Sequence, residues 1–165
     1  MDDYFNKPIV IALALIVYGI AFIYIERAHK NVEPKINDFK ELDFMTAIKI
    51  GLFQCLALVP GTSRSGSTIL GGLLVGTSRS IATEFSFFMG IPIMFGASGL
   101  KLLKFGFHYS LAEFVILLVG SVVSFVVSLF VIKFLLKYIK HHDFQAFGWY
   151  RIALGIIVLG SLFFK

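Results

Sequence analysis

Apolar residues along the chain come in long blocks separated by short polar gaps. The first block, Pro8 to Ile25, carries no charge and is about long enough to cross a bilayer, which takes roughly 20 helical residues. Met1-Asp2-Asp3 is acidic where a signal peptide would be basic, and the small residues inside the block are followed by more apolar ones, so the block reads as a retained span. Glu26 to Asp43 then mixes Arg27, Lys30, Lys35 and Lys40 with Glu33, Asp38 and Glu41, the make-up of a solvated loop. Residues 81–100, 111–136 and 146–164 form three further blocks of spanning length, and Pro92 should bend the first of them. Trp149 and Tyr150 stand where an interfacial aromatic belt would, and Arg151 is placed to snorkel towards headgroups.

The stretch 44–76 breaks this pattern. Phe44 to Pro60, apolar only after Lys49, and Ile69 to Gly76 are both too short to cross, and a polar tract from Gly61 to Thr68 separates them. Ten helical residues cover only about 15 Å against a hydrocarbon core of roughly 30 Å. The economical arrangement is a re-entrant hairpin, two half-helices meeting at a polar turn inside the membrane. Irregular backbone at such depth is tolerated only where protein buries it or it lines a wet cavity, so the turn marks a candidate site.

Composition points the same way. Of 165 residues, 58% are hydrophobic and 15% charged, with 19 phenylalanines and a mean hydropathy of +0.86, whereas a soluble domain carries about a quarter charged residues. The expected fold is an all-α integral membrane protein, a single domain over 1–165 with about four transmembrane helices and one re-entrant hairpin. The lone cysteine, Cys55, leaves no internal disulfide and no CxxC metal cage. Net charge is +5, but the basic residues flank the apolar blocks and form no nucleic-acid stripe. Arg27, Lys30, Lys35, Lys40, Arg79, Lys133, Lys137 and Lys140 fall on one side of the bilayer, against Lys7, Lys101, Lys104 and Lys165 on the other. The richer side is expected to be cytoplasmic, with both termini outside and the hairpin entering from the cytoplasm.

Pro60-Gly61-Thr62-Ser63-Arg64-Ser65-Gly66-Ser67-Thr68 sets one arginine, five hydroxyls and two glycines between the half-helices. Every component suits an oxyanion. Pro60 stops the incoming half-helix, Gly61 and Gly66 let backbone N–H groups turn towards a ligand, and Ser65 to Thr68 begin the outgoing half-helix with its positive dipole end facing the turn. Arg64 adds a planar, permanently charged fork that grips phosphate oxygens in pairs. Burying an arginine costs about 2.5–3.5 kcal/mol even on insertion scales, which argues against a merely structural break. The expected ligand is a phosphate or diphosphate group. A nucleotide loop gets no support, because the terminal Gly-Lys-Ser/Thr and the preceding strand are missing. Gly-Thr-Ser-Arg-Ser at 61–65 recurs at 76–80, where Thr77 or Ser78 is an expected N-cap and Arg79 a headgroup or topology residue.

From Gly51-Leu52-Phe53-Gln54-Cys55-Leu56-Ala57-Leu58-Val59 through the tract 60–68, the chain resembles the signature of the undecaprenyl-diphosphate phosphatase family, the bacitracin-resistance proteins. Glu84-Phe85-Ser86-Phe87, Ile91-Pro92 and Gly96-Ala97 resemble the segment just beyond that signature, so the similarity runs over about 47–100. The resemblance implies a multi-pass enzyme of the bacterial cell membrane that removes the terminal phosphate of undecaprenyl diphosphate and so regenerates the lipid carrier for cell-wall polymers. It implies Arg64 and Ser65 as catalytic residues, with Gly61, Thr62, Ser63, Gly66 and Thr68 around the phosphates. A diphosphate carries more charge than one arginine neutralises, so a divalent cation, magnesium or calcium, is a candidate companion; no organic cofactor is expected. Members of that family contain two inverted repeats, the first supplying two glutamates, a serine nucleophile and a histidine. That motif is missing here. The chain resembles the second half preceded by the last span of the first, and is expected to be catalytically incomplete without a first half or a second copy. The rival expectation is a non-catalytic half-transporter or lipid-anion-binding membrane protein, since discontinuous helices serve transporters as well.

Glu84, near the start of a span, is expected either to orient Arg64 or hold a divalent ion, or else to pair with Arg79 or a lysine. Glu113 and Lys49 read as interfacial. His29, His108, His141 and His142 fall in connecting loops, away from any mid-membrane relay. Gln54 is expected to bond to a neighbouring helix. Gly96-Ala97-Ser98-Gly99 is similar to the nucleophile site of rhomboid proteases, but with no histidine in a later span it reads as a small-residue packing stripe.

Overall fold

The computed structural model describes residues 8–30, 32–106, 110–139 and 142–163. Lys7, His108, Lys140, His141, Phe164 and Lys165 lie outside them. The elements are α1 (Pro8–Ala28), a 3-10 turn (Phe39–Glu41), α2 (Phe44–Gln54) continued by a 3-10 segment (Cys55–Leu58), α3 (Arg64–Val75), α4 (Arg79–Phe105), α5 (Leu111–Ile139) and α6 (Gln145–Phe163). α1, α4, α5 and α6 are long and apolar enough to cross a membrane, so the protein is an all-α membrane protein. α1 continues three residues past Ile25, which makes Glu26 and Arg27 helical instead of parts of a loop. α4 runs on unbroken through Pro92.

The half-crossing hairpin forms for local reasons. Asp43 caps α2 by accepting the Thr46 N–H at 3.0 Å, and the Thr46 hydrogen bonds hold its carboxyl below the usual carboxylate range. At the other end Val59 is extended, with φ −80° and ψ 120°, because the ring of the following proline excludes the helical region. The incoming half therefore ends before Pro60. The outgoing half starts at Arg64, with Ser63 as its cap. Glycines let the halves and α4 approach closely. A Cβ on Gly71 would stand 2.6 Å from the Phe53 Cβ, and one on Gly72 would stand 2.8 Å from the Ala82 Cβ.

α1 and α6 form the most extensive helix pair, and they run antiparallel. Ala12 and Gly19 on α1 face Gly155 and Gly148 on α6, each pair seven residues apart and so on one face. A Cβ on Gly148 would lie 2.8 Å from the Gly19 carbonyl oxygen, and one on Gly155 would lie 2.9 Å from that of Ala12. Between helices already in lipid, close backbone packing of this kind replaces the hydrophobic effect as the attraction.

Where α1 ends, Phe22, Ile25, Leu70, Leu73, Ala82, Ile139 and Phe144 form an apolar cluster. Beside it Glu26, 1% exposed, accepts from Arg79 Nε at 3.0 Å and Nη2 at 2.6 Å, and from the Phe144 N–H at 3.2 Å. The expectation for Arg79 is thereby corrected: its charge is held by a buried carboxylate and is not free for headgroups. α5 exposes apolar side chains along nearly its whole length. A Cβ built on Gly96 or Gly99 would meet nothing within 4 Å, so the expected packing stripe has no partner among the described residues.

Candidate phosphate site at the hairpin turn

The turn lies inside the bilayer-spanning layer. Tyr18 is the middle residue of α1, and its hydroxyl receives the Ser67 hydroxyl of α3 at 3.3 Å. Gly61, at φ 95°, packs so closely on α1 that a Cβ there would be 2.7 Å from the Ile11 carbonyl oxygen. The tip of the hairpin has thus passed the middle of α1 and lies nearer its N-terminal end.

Arg64 opens α3 and reaches sideways to α4. Its Nη1 donates to the Ser86 carbonyl at 3.2 Å. The guanidinium lies over Gly90, where a Cβ would stand 2.5 to 2.9 Å from Nη2, Nη1 and Cζ. Gly90 therefore leaves room for the arginine. The backbone N–H groups of Arg64 and Ser65 have no acceptor among the described residues, as expected for the first turn of a helix. Ser63 is exposed, and it is the one described non-glycine residue with positive φ, 65°. Such strain clusters at functional sites. Its hydroxyl accepts the Gly66 N–H at 3.3 Å and lies 3.4 Å from the half-buried Ser65 hydroxyl.

A cavity of about 140 Å³ opens beside the turn, lined at its polar end by Ser63, Ser65, Ser86 and Arg151 and elsewhere by aromatics such as Phe22 and Phe147. Arg64 is not among the lining residues; it meets the Ser86 carbonyl beside them. Arg151 was expected at the headgroups, and this is corrected. Its Nη2 donates to the Gly61 carbonyl at 2.6 Å, and its guanidinium lies 5.8 Å over the Tyr18 ring. Its Nε is buried with no partner among the described residues. Trp149 and Tyr150 remain exposed beside it. The sequence does hold a signal for Arg151, because a charged residue in the second turn of an otherwise apolar span is a functional suspect.

Three residues expected around the phosphates help build the turn, and of them only Gly66 also lines the cavity. Thr62, 3% exposed, donates its hydroxyl towards the Val59 and Leu56 carbonyls. Thr68, fully buried, donates to the Arg64 carbonyl at 2.9 Å and lies 3.4 Å from Gln54 Oε1. Gly66 is buried, with its N–H on Ser63. Buried hydroxyls must find partners within the protein, and a broken helix supplies free carbonyls that take them. Gln54 bonds to a neighbouring helix, as expected. Gly61 contributes its conformation and a carbonyl.

Glu84 accepts from the Ser80 hydroxyl at 3.4 Å; it neither lines the cavity nor pairs with Arg79. His29 and His142 donate from Nδ1 to the Ile25 and Tyr138 carbonyls, and the His142 ring is stacked on Tyr138 with centroids 4.1 Å apart. Among the described residues no three His, Cys, Asp or Glu side chains converge. The oxygens at the turn are hydroxyls and carbonyls, without the carboxylates that hold magnesium or calcium, so these residues do not fit a divalent ion held by the protein.

Four helices of spanning length beside a half-crossing hairpin with a cationic polar turn define a multi-pass membrane protein with a candidate site between its helices. Residues 1–157 match the family described as bacitracin resistance protein BacA, and the chain belongs to that family. It is 59% identical to undecaprenyl-diphosphatase 1 of Clostridioides difficile over 163 residues, covering 99% of this chain and 59% of the relative. It is 54% identical to the undecaprenyl-diphosphatase of Enterococcus faecalis V583, covering 100% and 61%. For the enzyme of that name from Streptococcus mutans the figures are 57%, 96% and 58%. The chain spans about three-fifths of the length of these curated relatives.

Proposed function

We propose that this chain supplies the diphosphate-binding part of an undecaprenyl-diphosphatase of the bacterial plasma membrane, incomplete in catalysis by itself, with the diphosphate bound at the hairpin turn and the prenyl tail in lipid. The carrying observation is Arg64, a permanent charge held between the helices at Ser86 and Gly90, on a residue that opens α3 with two unpaired backbone N–H groups. In the reaction an oxygen nucleophile bonds to the terminal phosphorus as the bond from that phosphorus to the bridging oxygen breaks; undecaprenyl phosphate leaves with that electron pair, and water, giving one proton to solvent, ends as an oxygen of the released inorganic phosphate. Arg64 and the N–H groups of Arg64 and Ser65 face the charge that develops on the transferring phosphoryl oxygens. The Ser65 hydroxyl, on the cavity wall, orients the phosphate by hydrogen bonding. The second cation at the site, Arg151, fixes the turn through Gly61. The product returns to cell-wall polymer synthesis, in keeping with a family named for bacitracin resistance.

The test is phosphate release from undecaprenyl diphosphate by the purified chain, alone and supplied with the segment by which its relatives exceed it. Removing one preorganised donor typically costs about 10²–10³ in rate. Arg64→Ala should therefore lower turnover by at least about 100-fold while expression and helix content stay unchanged. Turnover retained in Arg64→Ala would remove this residue from the site.

A further inference from the structure

One face of α1 carries the turn. Ile11, Ala14 and Tyr18 follow one another at helical spacing on that face, and Gly61 packs on the first two, where a Cβ would stand 2.9 Å from the Ile11 Cα and 3.1 Å from the Ala14 Cβ. Tyr18, half-buried, meets the turn twice. Its hydroxyl accepts from the buried Ser67 at 3.3 Å, and the Ser67 N–H closes the first turn of α3 on the Ser63 carbonyl at 3.0 Å. Its ring lies under the Arg151 guanidinium at 5.8 Å, within the reach of about 6 Å over which a cation is drawn to an aromatic face. The same guanidinium holds the Gly61 carbonyl at 2.6 Å. The incoming side of the turn, at Gly61, and the outgoing side, at Ser67, are thus both tied to one side chain of α1.

The Arg64 side chain has a different support. It is anchored on α4, at the Ser86 carbonyl and over Gly90. We propose that Tyr18 is a positioning residue of the hairpin turn, aiming the Arg64 and Ser65 N–H groups through Ser67 on one side and, by way of Arg151, through Gly61 on the other. The proposal rests on the reading of the turn as a phosphate site. Donors aimed at charge that develops in the transition state act on kcat. The guanidinium, fixed on α4, keeps its hold on the bound diphosphate, so the loss of Tyr18 falls on kcat and leaves KM in place.

Phosphate release from undecaprenyl diphosphate is measured for the chain supplied with the segment by which its relatives exceed it, with rates referred to folded protein by circular dichroism. Tyr18→Leu is expected to lower kcat at least about tenfold with KM within about threefold of the unmodified value. A tyrosine that serves stability alone would lower the folded fraction and leave kcat per folded molecule unchanged. Tyr18→Phe keeps the ring under Arg151 and should lose less, about threefold; Ser67→Ala should match it, and the two combined should lose no more than either alone, since both remove one bond. If Tyr18→Leu does not fold, the phenylalanine and alanine variants decide. Unchanged kcat in Tyr18→Leu, a raised KM with kcat intact, equal losses in Tyr18→Leu and Tyr18→Phe, or additive losses in Tyr18→Phe/Ser67→Ala overturns the proposal. Full turnover in Tyr18→Leu beside an inactive Arg64→Ala strikes Tyr18 alone, whereas turnover retained in both strikes the phosphate site itself.

Discussion

At the scale of single residues, the turn depends on what a neighbour lacks. Gly90 has no side chain where the Arg64 guanidinium lies. Gly90→Ala would place a methyl group in that space, and the flexible arginine, not the helix backbone, has to yield. Alanine gains about 1 kcal/mol of helix propensity over glycine. We expect an unfolding midpoint in detergent that is unchanged or slightly raised, with phosphate release at least about tenfold lower; full activity would show that the guanidinium acts from elsewhere. Ser63→Gly separates strain from capping. The positive φ costs about 1–3 kcal/mol, whereas exchanging a serine cap for glycine costs only a few tenths. Strain relief should win and the variant should melt higher; a lower midpoint would show that the cap dominates. Arg64 is legible in the sequence because a buried charge is costly in any context. Thr62 and Thr68 look equally suited to phosphate, but a hydroxyl's partner is decided by which carbonyls the fold brings within hydrogen-bonding distance, and no spacing rule supplies that.

Among elements, the hairpin is legible and the α1–α6 pair is not. Length alone forbids either half of the hairpin from crossing, so the break comes from geometry. The seam uses Gly19, Gly148 and Gly155, which in sequence are indistinguishable from Gly99, Gly120 or Gly160. Gly148→Leu would drive a side chain against the Gly19 carbonyl, 2.8 Å from the first added carbon. Backbone cannot swing aside as a side chain can. Overpacking of this kind costs about 1–3 kcal/mol, so the unfolding midpoint should fall, whereas Gly160→Leu, with nothing within 4 Å, should leave it in place. Equal behaviour of the two variants would mean that α1 and α6 do not pack through these glycines. Arg151 reaches Gly61 only because this seam is close, which is why its role could not be read from its place in the chain.

Across the whole molecule, Glu26 joins the end of α1 to the start of α4 and the approach to α6 through Arg79 and the Phe144 N–H. Removing one member of a buried ion pair costs about 3–5 kcal/mol, because the other is left charged and unpaired. Arg79→Ala, which leaves the buried Glu26 carboxylate unpaired, should destabilise by that order in mixed-micelle unfolding, Glu26→Ala should cost less because the Arg79 side chain is 37% exposed and reaches water, and Glu26→Ala/Arg79→Ala should recover part of the larger loss. Additive losses would show that the pair is not coupled. The same pair makes the two Gly-Thr-Ser-Arg-Ser copies chemically different, and their backbones differ as well, Ser63 having φ 65° and Ser78 φ −65°. Taken alone, the sequence determined the all-α membrane class, the four spans, the broken helix and the charged turn, since hydrophobic length and the cost of buried charge act locally and need no knowledge of neighbours. Only the tertiary structure decided that Arg151 braces the turn, that Arg79 is held by Glu26 and that Gly90 receives Arg64. Those assignments depend on side chains from distant parts of the chain meeting within hydrogen-bonding or van der Waals distance, and hydropathy patterns carry no record of such meetings.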